Sequence, residues 1–341
     1  MYFSKNQTII ENLSINQVQS YVNYYFPTKK VEEFKMCPLG SENISIKVTV
    51  DSHPYLLRIS TMPNSHLMNN NIIHVVEQEL KFMSNLFNKG ISVPRVFKTI
   101  LGQQYVYINT EGDMKFIILM EWIDGVHREY DVYSIIKTAQ ILARIHQISL
   151  NYVPNSFFIN DSNYSAFSYR LIEKPTILTE GFPLRLYEEL KSLYDIVSID
   201  LKDFYFNSSR ILIHSDVKAD NLLWKENTIV GIIDFGDIRY SVIPEDLGVY
   251  IWDMCIKLSK QNLDIEKYID IFLSSYSEYN HNFTRKHKEL SVTYAIDRFL
   301  SIHLHYLIKN QTNSSDMKYQ INKAEFELDI INKLLNYRRR L

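Results

Sequence analysis

Two cysteines, Cys37 and Cys255, are all that 341 residues contain. They stand far apart in the chain, so neither a disulfide framework nor a paired-cysteine metal motif can be built from them. That scarcity fits a reducing cytoplasm. No run approaches the roughly 18 apolar residues of a spanning helix. The start, Met-Tyr-Phe-Ser-Lys-Asn-Gln, has no apolar signal core, and the expectation is a chain neither exported nor embedded. A cationic surplus is missing as well. The 37 Lys and Arg residues against 39 Asp and Glu leave a formal charge of −2, which cannot hold a polyanion by counterion release, so nucleic acid is not expected as a partner. Glycine and proline are sparse at nine each, which excludes collagen-like and low-complexity classes.

What remains is an ordinary globular composition, 46% hydrophobic and 22% charged, long enough for two modest lobes with a core each. From Leu39 to Ser60 the pattern is a hairpin. Ile44, Ile46 and Val48 alternate with polar residues, a turn falls at Asp51-Ser52-His53, and Tyr55 to Ile59 returns. Val75 to Lys89 has helical periodicity and stops at Gly90. Extended pieces are expected around Val93 to Lys98 and Gln104 to Ile108, and Phe116 to Met120 reads as a buried strand. Beyond Gly125 helical patterns dominate, over Tyr133 to Ile148, Arg185 to Tyr194, Val249 to Leu258, Ile265 to Tyr276, Leu290 to Ile308 and Ala324 to Tyr337. Two short β-branched runs, Ile211 to Ile213 and Ile229 to Ile233, interrupt them. A β-rich first part and a helical second part make an α+β layout with two lobes. Residues 1–118 are expected as the first lobe, 119–125 as a hinge and 126–341 as the helical lobe.

Chemistry-bearing residues gather at the ends of those two short runs, as His214-Ser215-Asp216-Val217-Lys218-Ala219-Asp220-Asn221 and Ile233-Asp234-Phe235-Gly236-Asp237. Phosphoryl transfer needs a carboxylate beside the attacking hydroxyl and oxygen ligands for a divalent ion on the phosphates. Asp216 can be that carboxylate. Asn221 can turn its amide oxygen to a metal, and Asp234 can supply an ionised ligand. The H-x-D-x-x-x-x-N and D-F-G spacings together are a recognised kinase signature, far more specific than either alone.

The segment resembles the aminoglycoside phosphotransferase and choline kinase superfamily, small-molecule kinases with the protein-kinase-like fold. The resemblance extends to Leu142-Ala143-Arg144-Ile145-His146, to Leu119 through Gly125 as a hinge and to the hairpin Leu39 to Arg58. It covers roughly residues 30 to 255. It implies a small β-rich lobe and a larger, mostly helical one. It also implies magnesium, with ATP or GTP as donor and a small-molecule alcohol as acceptor. By the resemblance Gly40, Ser41 and Asn43 lie over the phosphates. Arg58 contacts phosphate with Glu79 as its ion-pair partner, chosen over Glu77 because Met83 and Leu86 then share its packing face. Met120, Glu121 and Ile123 offer hinge backbone to the base, and Asp246 braces the catalytic loop. Ser215 stands where the family usually has glycine, and Arg58 where lysine is frequent.

Three functions are open at this point. One is a kinase of small amino-bearing alcohols, aminoglycoside-like antibiotics or amino alcohols such as choline or homoserine; the motif text around Asp234 looks most like the antibiotic-modifying branch. The second is a protein kinase of the bacterial stress-kinase type, to which Lys218 points. The third is a nucleotide-binding pseudokinase. For the acceptor, aromatic residues such as Tyr250, Trp252, Tyr294 and Tyr306 are either core or a cage for a quaternary ammonium. Asp237, Glu245, Asp253 and Asp297 either receive an amine or face water.

Overall fold

The structure, a computed structural model, describes residues 13–37, 43–63, 71–110, 113–156, 183–309 and 314–341. The chain divides into two compact units, one of Met1–Val126 with Leu223–Gly236 and one of His127–Leu222 with Asp237–Leu341.

The first unit opens with α1 (Ile15–Asn23). Ser14 Oγ accepts the Gln17 N–H at 3.3 Å while Gln17 Oε1 accepts the Ser14 N–H at 2.9 Å. This reciprocal cap satisfies two donors that a helix start leaves open. Next come β1 (Val31–Met36), β2 (Asn43–Val50), β3 (His53–Pro63), α2 (Asn71–Asn88), β4 (Val106–Thr110) and β5 (Asp113–Glu121). The strands form one antiparallel sheet in the order β1-β2-β3-β5-β4. Alternation in β2 decides which face is core. Ile44, Ile46, Val48 and Val50 are buried against Val18, Val22 and Tyr25 of α1 and its following turn, each burial contributing about 1.5–3 kcal/mol. The side-chain period of two then sends Asn43, Ser45 and Lys47 to the other face. There Ser45 lies opposite Arg58 and Arg58 opposite Ile118, while Lys47 lies opposite Leu56 and Leu56 opposite Met120. The helix α2 ends where expected, Gly90 taking φ 76° in the left-handed region. The unit is completed by the hairpin of β7 (Leu222–Lys225) and β8 (Thr228–Ile232).

The second unit is mostly helical: α3 (Val132–Leu150), α4 (Leu184–Asn207), α5 (Ile243–Lys260), α6 (Ile265–Tyr279), α7 (Arg285–Lys309) and α8 (Ser314–Arg340). A short antiparallel pair, β6 (Ile211–Ile213) with β9 (Arg239–Ser241), lies among them. The helix α4 runs well past the expected stop at Tyr194, because Leu190, Leu193, Tyr194, Val197, Leu201 and Tyr205 continue one buried stripe. Helices α5 and α7 touch at backbone distance. A Cβ on Gly248 would stand 2.5 Å from Tyr294 Cβ and 2.9 Å from the Ala295 nitrogen. Among the described residues no helix is long and apolar enough to cross a membrane.

Candidate active site

In the second unit, the fully buried strand β6 delivers His214, Ser215 and Asp216 into a sharp turn. Ser215 sits at φ 66°, a left-handed conformation, which accounts for the glycine the family usually has there. The turn is held from below by Asp246 in the first turn of α5. Its Oδ1 accepts the Ser215 N–H at 2.7 Å and its Oδ2 the His214 N–H at 3.3 Å. His146 Nε2 reaches the same Oδ2 at 2.9 Å, and its Nδ1 meets the Tyr276 hydroxyl at 2.7 Å. Burial pushes the Asp246 pKa up, but the His146 and Ser215 hydrogen bonds outweigh it and hold the carboxyl below its ordinary value. The Leu-Ala-Arg-x-His segment thus supplies the histidine that fixes the loop's brace. His214 is wholly buried and accepts the Asp216 N–H on Nδ1 at 3.2 Å.

Asp216 is 4% exposed. Its Oδ2 takes Lys218 Nζ at 2.6 Å and Asn221 Nδ2 at 2.9 Å. Its Oδ1 faces Arg298 Nη2 at 3.4 Å. Asn221, in the 3-10 turn Ala219–Asn221, also gives Nδ2 to the Asp216 carbonyl at 2.8 Å. Both contacts consume the amide nitrogen, so the Asn221 Oδ1 oxygen, engaged by no described residue, remains as a hard donor suited to magnesium. Among the described residues no group of three or more His, Cys, Asp or Glu side chains could hold a metal ion by itself.

A second clamp holds the middle of the loop. The Ala219 N–H donates to Tyr130 Oη at 3.1 Å, and Tyr130 donates to Asp253 Oδ2 at 2.5 Å. Lys257 bridges Asp253 at 3.2 Å and Asp220 at 2.9 Å. Burial and then Asp253 raise the Tyr130 pKa well above its usual value. Asp253 is therefore occupied. Glu245 is bonded to Arg239 at 3.1 Å and to Ser241. Asp297 is buried and Asp237 is exposed. Of the aromatic group, Tyr250 and Tyr294 are core residues, and the Tyr306 side chain lies outside the described residues. Sequence reasoning missed Arg298, Tyr130 and Lys257. Two adjacent charges, Asp297-Arg298, in the otherwise apolar stretch of α7 were the signal available for Arg298.

In the first unit, Arg58 and Glu79 meet as a two-pronged ion pair, Nη1–Oε1 2.6 Å and Nη2–Oε2 2.8 Å, both residues buried. Glu77 instead takes the Tyr105 hydroxyl at 3.2 Å and Lys81 at 3.5 Å. Burial pulls the Arg58 pKa down, and Glu79 with help from Asp234 more than restores it. Asp234 follows β8 at φ 65° and is exposed. Asn43 Oδ1 accepts the Ser60 hydroxyl at 2.5 Å. Asn43 also lies by the Asp234–Gly236 turn, its Nδ2 3.9 Å from a Cβ placed on Gly236. Gly40 and Ser41 lie outside the described residues. At the hinge, Met120 is buried, and the Glu121 N–H is given to the Arg95 carbonyl at 2.9 Å. A cleft of about 400 Å³ opens against Glu121, Trp122, Ile123 and Asp124 on one side and Ile91, Ser92 and Val93 on the other. Lys47 rests over the Trp122 ring, 4.6 Å from its centroid.

A β-rich unit carrying a buried Arg–Glu pair and an Asp-Phe-Gly turn, joined to a helical unit carrying a braced aspartate and asparagine, defines an α+β, two-lobed protein-kinase-like phosphotransferase. The chain belongs to the phosphotransferase enzyme family, whose model matches residues 38–280. Solved structures share the fold at low identity. One is an amicoumacin kinase in complex with AMP-PNP, Ca²⁺ and Ami, at TM-score 0.71 and 15% identity, covering 96% of both chains. A microcompartment-associated aminopropanol kinase matches at TM-score 0.68 and 16% identity, covering 95% of this chain and 98% of that one. A spectinomycin phosphotransferase in complex with ADP and spectinomycin matches at TM-score 0.61 and 14% identity, covering 92% and 98%. A search of curated proteins finds no match.

Proposed function

We propose that this phosphotransferase moves the γ-phosphoryl group of ATP or GTP onto a hydroxyl of a small amino-bearing molecule, an aminoglycoside-like antibiotic or an amino alcohol such as choline or homoserine. The observation that carries the reading is the Asp216–Asn221 pair, a nearly buried carboxylate aimed by an asparagine whose own oxygen stays open. In it Asp216 accepts the hydroxyl proton of the acceptor and orients its oxygen. Asn221 and Asp234 hold magnesium, which when bound neutralises charge on the phosphates. Arg58, fixed by Glu79, contacts phosphate; Gly40, Ser41 and Asn43 belong to the loop over it. Met120, Glu121 and Ile123 face the base, through main-chain groups at the hinge. Neighbours that are named kinases of amicoumacin, aminopropanol and spectinomycin support a small acceptor, and their AMP-PNP and ADP support a nucleotide donor. The two cysteines, both free thiols, suit a cytoplasmic enzyme.

Lys218, 2.6 Å from Asp216 Oδ2, favours a second reading, a protein Ser/Thr kinase. Nucleotide turnover measured with aminoglycosides, amino alcohols, hydroxy amino acids and protein acceptors separates the two, and nucleotide binding with no turnover marks a pseudokinase. In the first reading small molecules alone stimulate turnover, and Asp216→Ala lowers kcat by at least ~100-fold with nucleotide affinity nearly intact. Full turnover in that variant removes Asp216 from the role.

A further inference from the structure

Asn221 spends both contacts of its amide nitrogen on Asp216, so the place of its oxygen depends on where the 3-10 turn Ala219–Asn221 holds the backbone. That turn has no cap of its own. Lys218, the residue before it, makes no side-chain cap and is bonded to Asp216 at 2.6 Å, which would leave the first N–H of the turn open. Tyr130, from the segment ahead of α3, takes that N–H instead. Ala219 donates to Tyr130 Oη at 3.1 Å, and the phenol donates to Asp253 Oδ2 at 2.5 Å. Lys257 ties Asp253, at 3.2 Å, to Asp220, at 2.9 Å. Both residues ahead of Asn221 are thus fastened to one buried carboxylate on α5.

Packing holds Tyr130 in that role. Its ring meets Tyr250 edge-on with centroids 5.4 Å apart, and Lys257 Nζ lies 5.7 Å from its centroid. Burial and then the Asp253 charge raise its pKa well above the ordinary value, so the phenol keeps its proton and the direction of both bonds is fixed. Without the hydroxyl, the Ala219 N–H has a second acceptor in reach, Asp253 Oδ2 at 3.4 Å. Closing that gap to a normal length of about 2.9 Å would move the turn by roughly 0.5 Å. Magnesium takes oxygen ligands only near about 2.0–2.1 Å in a strict octahedron, whereas calcium takes them at about 2.3–2.6 Å in looser shells. A displacement of that size spans the difference between the two ions.

We infer that Tyr130 is a positioning residue that sets the metal preference of the enzyme, holding Asn221 Oδ1 where magnesium is accepted and calcium is disfavoured. Asp253 and Lys257 aim it. The inference rests on the reading of Asn221 as a magnesium ligand and adds what makes that ligand selective. Both hydrogen bonds of the Tyr130 hydroxyl are spent within the protein, so it acts through the backbone of the loop alone, as the outer partners of metal ligands do.

Calorimetric binding of AMP-PNP and of GMP-PNP to the full chain, with Mg²⁺ or Ca²⁺ as the ion, tests this without turnover. Each ion's own affinity for the nucleotide is common to all variants and cancels in the comparison. Tyr130→Phe keeps the ring and removes the bridge. It should weaken Mg²⁺-dependent nucleotide binding by about 10-fold, the lower end for groups that orient a ligand. Ca²⁺-dependent binding should weaken by less than ~3-fold, since calcium follows a displaced oxygen. Binding without metal should not change. Lys257→Met removes the Asp220 arm and should act in the same direction with smaller size. Thermal melts identify an unfolded Tyr130→Phe, and Lys257→Met then decides. Equal losses with both ions, or none with Mg²⁺, overturn the inference, the first by showing that Tyr130 merely stiffens the loop. Asn221→Ala separates this from the reading beneath it. If that variant loses Mg²⁺-dependent binding while Tyr130→Phe does not, only the inference falls. If it binds nucleotide with Mg²⁺ as the wild type does, Asn221 is no metal ligand and both fall.

Discussion

Asn221 grips Asp216 twice with one nitrogen, Nδ2 donating to the backbone carbonyl at 2.8 Å and to carboxylate Oδ2 at 2.9 Å. In the proposed mechanism the carboxylate that would receive the acceptor's proton is thus aimed by the same residue whose oxygen would hold magnesium. Changing either end of that side chain disturbs both tasks.

Asn221→Ala removes the grip and leaves a buried carbonyl unpaired, costing about 1–3 kcal/mol of stability. It should also lower kcat. Asn221→Asp keeps the shape but sets a second carboxylate against Asp216, and near neutral pH its like charge should cost at least as much activity. Steady-state rates beside urea midpoints test this; wild-type kcat in both variants would falsify the aiming role.

The Arg58–Glu79 pair is buried and forked, so removing one partner strands a charge. Glu79→Ala should destabilise the protein by about 3–5 kcal/mol. Glu79→Gln keeps a hydrogen bond and should cost less, and both should raise the KM for nucleotide. An unchanged melting temperature in Glu79→Ala would contradict the burial argument.

Asp246 sets an acid limit. Its folded pKa is depressed, so its contribution is complete above the unfolded value of about 3.9 and is lost as pH falls through the lower folded value. Denaturant midpoints from about pH 7 down to about pH 3 should therefore drop steeply at the acid end. Asp246→Asn should lower stability near neutrality and flatten that slope; an equally steep slope in the variant assigns acid lability to other carboxylates.

Short-range chemistry was legible in the sequence and long-range packing was not. Asp216 and Asn221 lie within one turn of chain, and the alternation of Ile44, Ile46 and Val48 lies within one strand, so spacing alone exposes them. Gly90 marks its helix end through a conformation that other residues resist. Arg298 meets Asp216 across 82 residues and Tyr130 meets Asp253 across 123; no local pattern encodes either pair. The helix α1, with two buried residues, and β1, whose burial alternates around charges, were too short and polar to read. The resemblance implied the Arg58–Glu79 pairing, and its two-pronged geometry is visible only in the structure.

Close approach of α5 and α7 makes Gly248 intolerant of any side chain. Its neighbours at 2.5 and 2.9 Å are a Cβ and a backbone nitrogen, which cannot swing aside as a side-chain tip can. Gly248→Ala should cost about 1–3 kcal/mol through overpacking, more than offsetting the gain in helix propensity. A thermal melt equal to or above wild type would mean that the two helices separate freely.

Ser215 offers the opposite case, a residue the fold holds at some cost. At φ 66° it occupies a left-handed turn, and its buried hydroxyl has no partner among the described residues. Glycine relieves both burdens but makes the unfolded chain freer, so the gains are partly offset. Ser215→Gly should lie between neutral and about 1 kcal/mol more stable, with kcat retained because Asp246 grips the backbone N–H and not the side chain. Ser215→Val, branched at the carbon the turn crowds, should lose about 1–3 kcal/mol and activity with it. Melting curves and turnover for both variants decide the matter. If the glycine variant were clearly less stable than the wild type, the hydroxyl would be shown to hold the loop itself, and the strain assigned to this turn would be wrong.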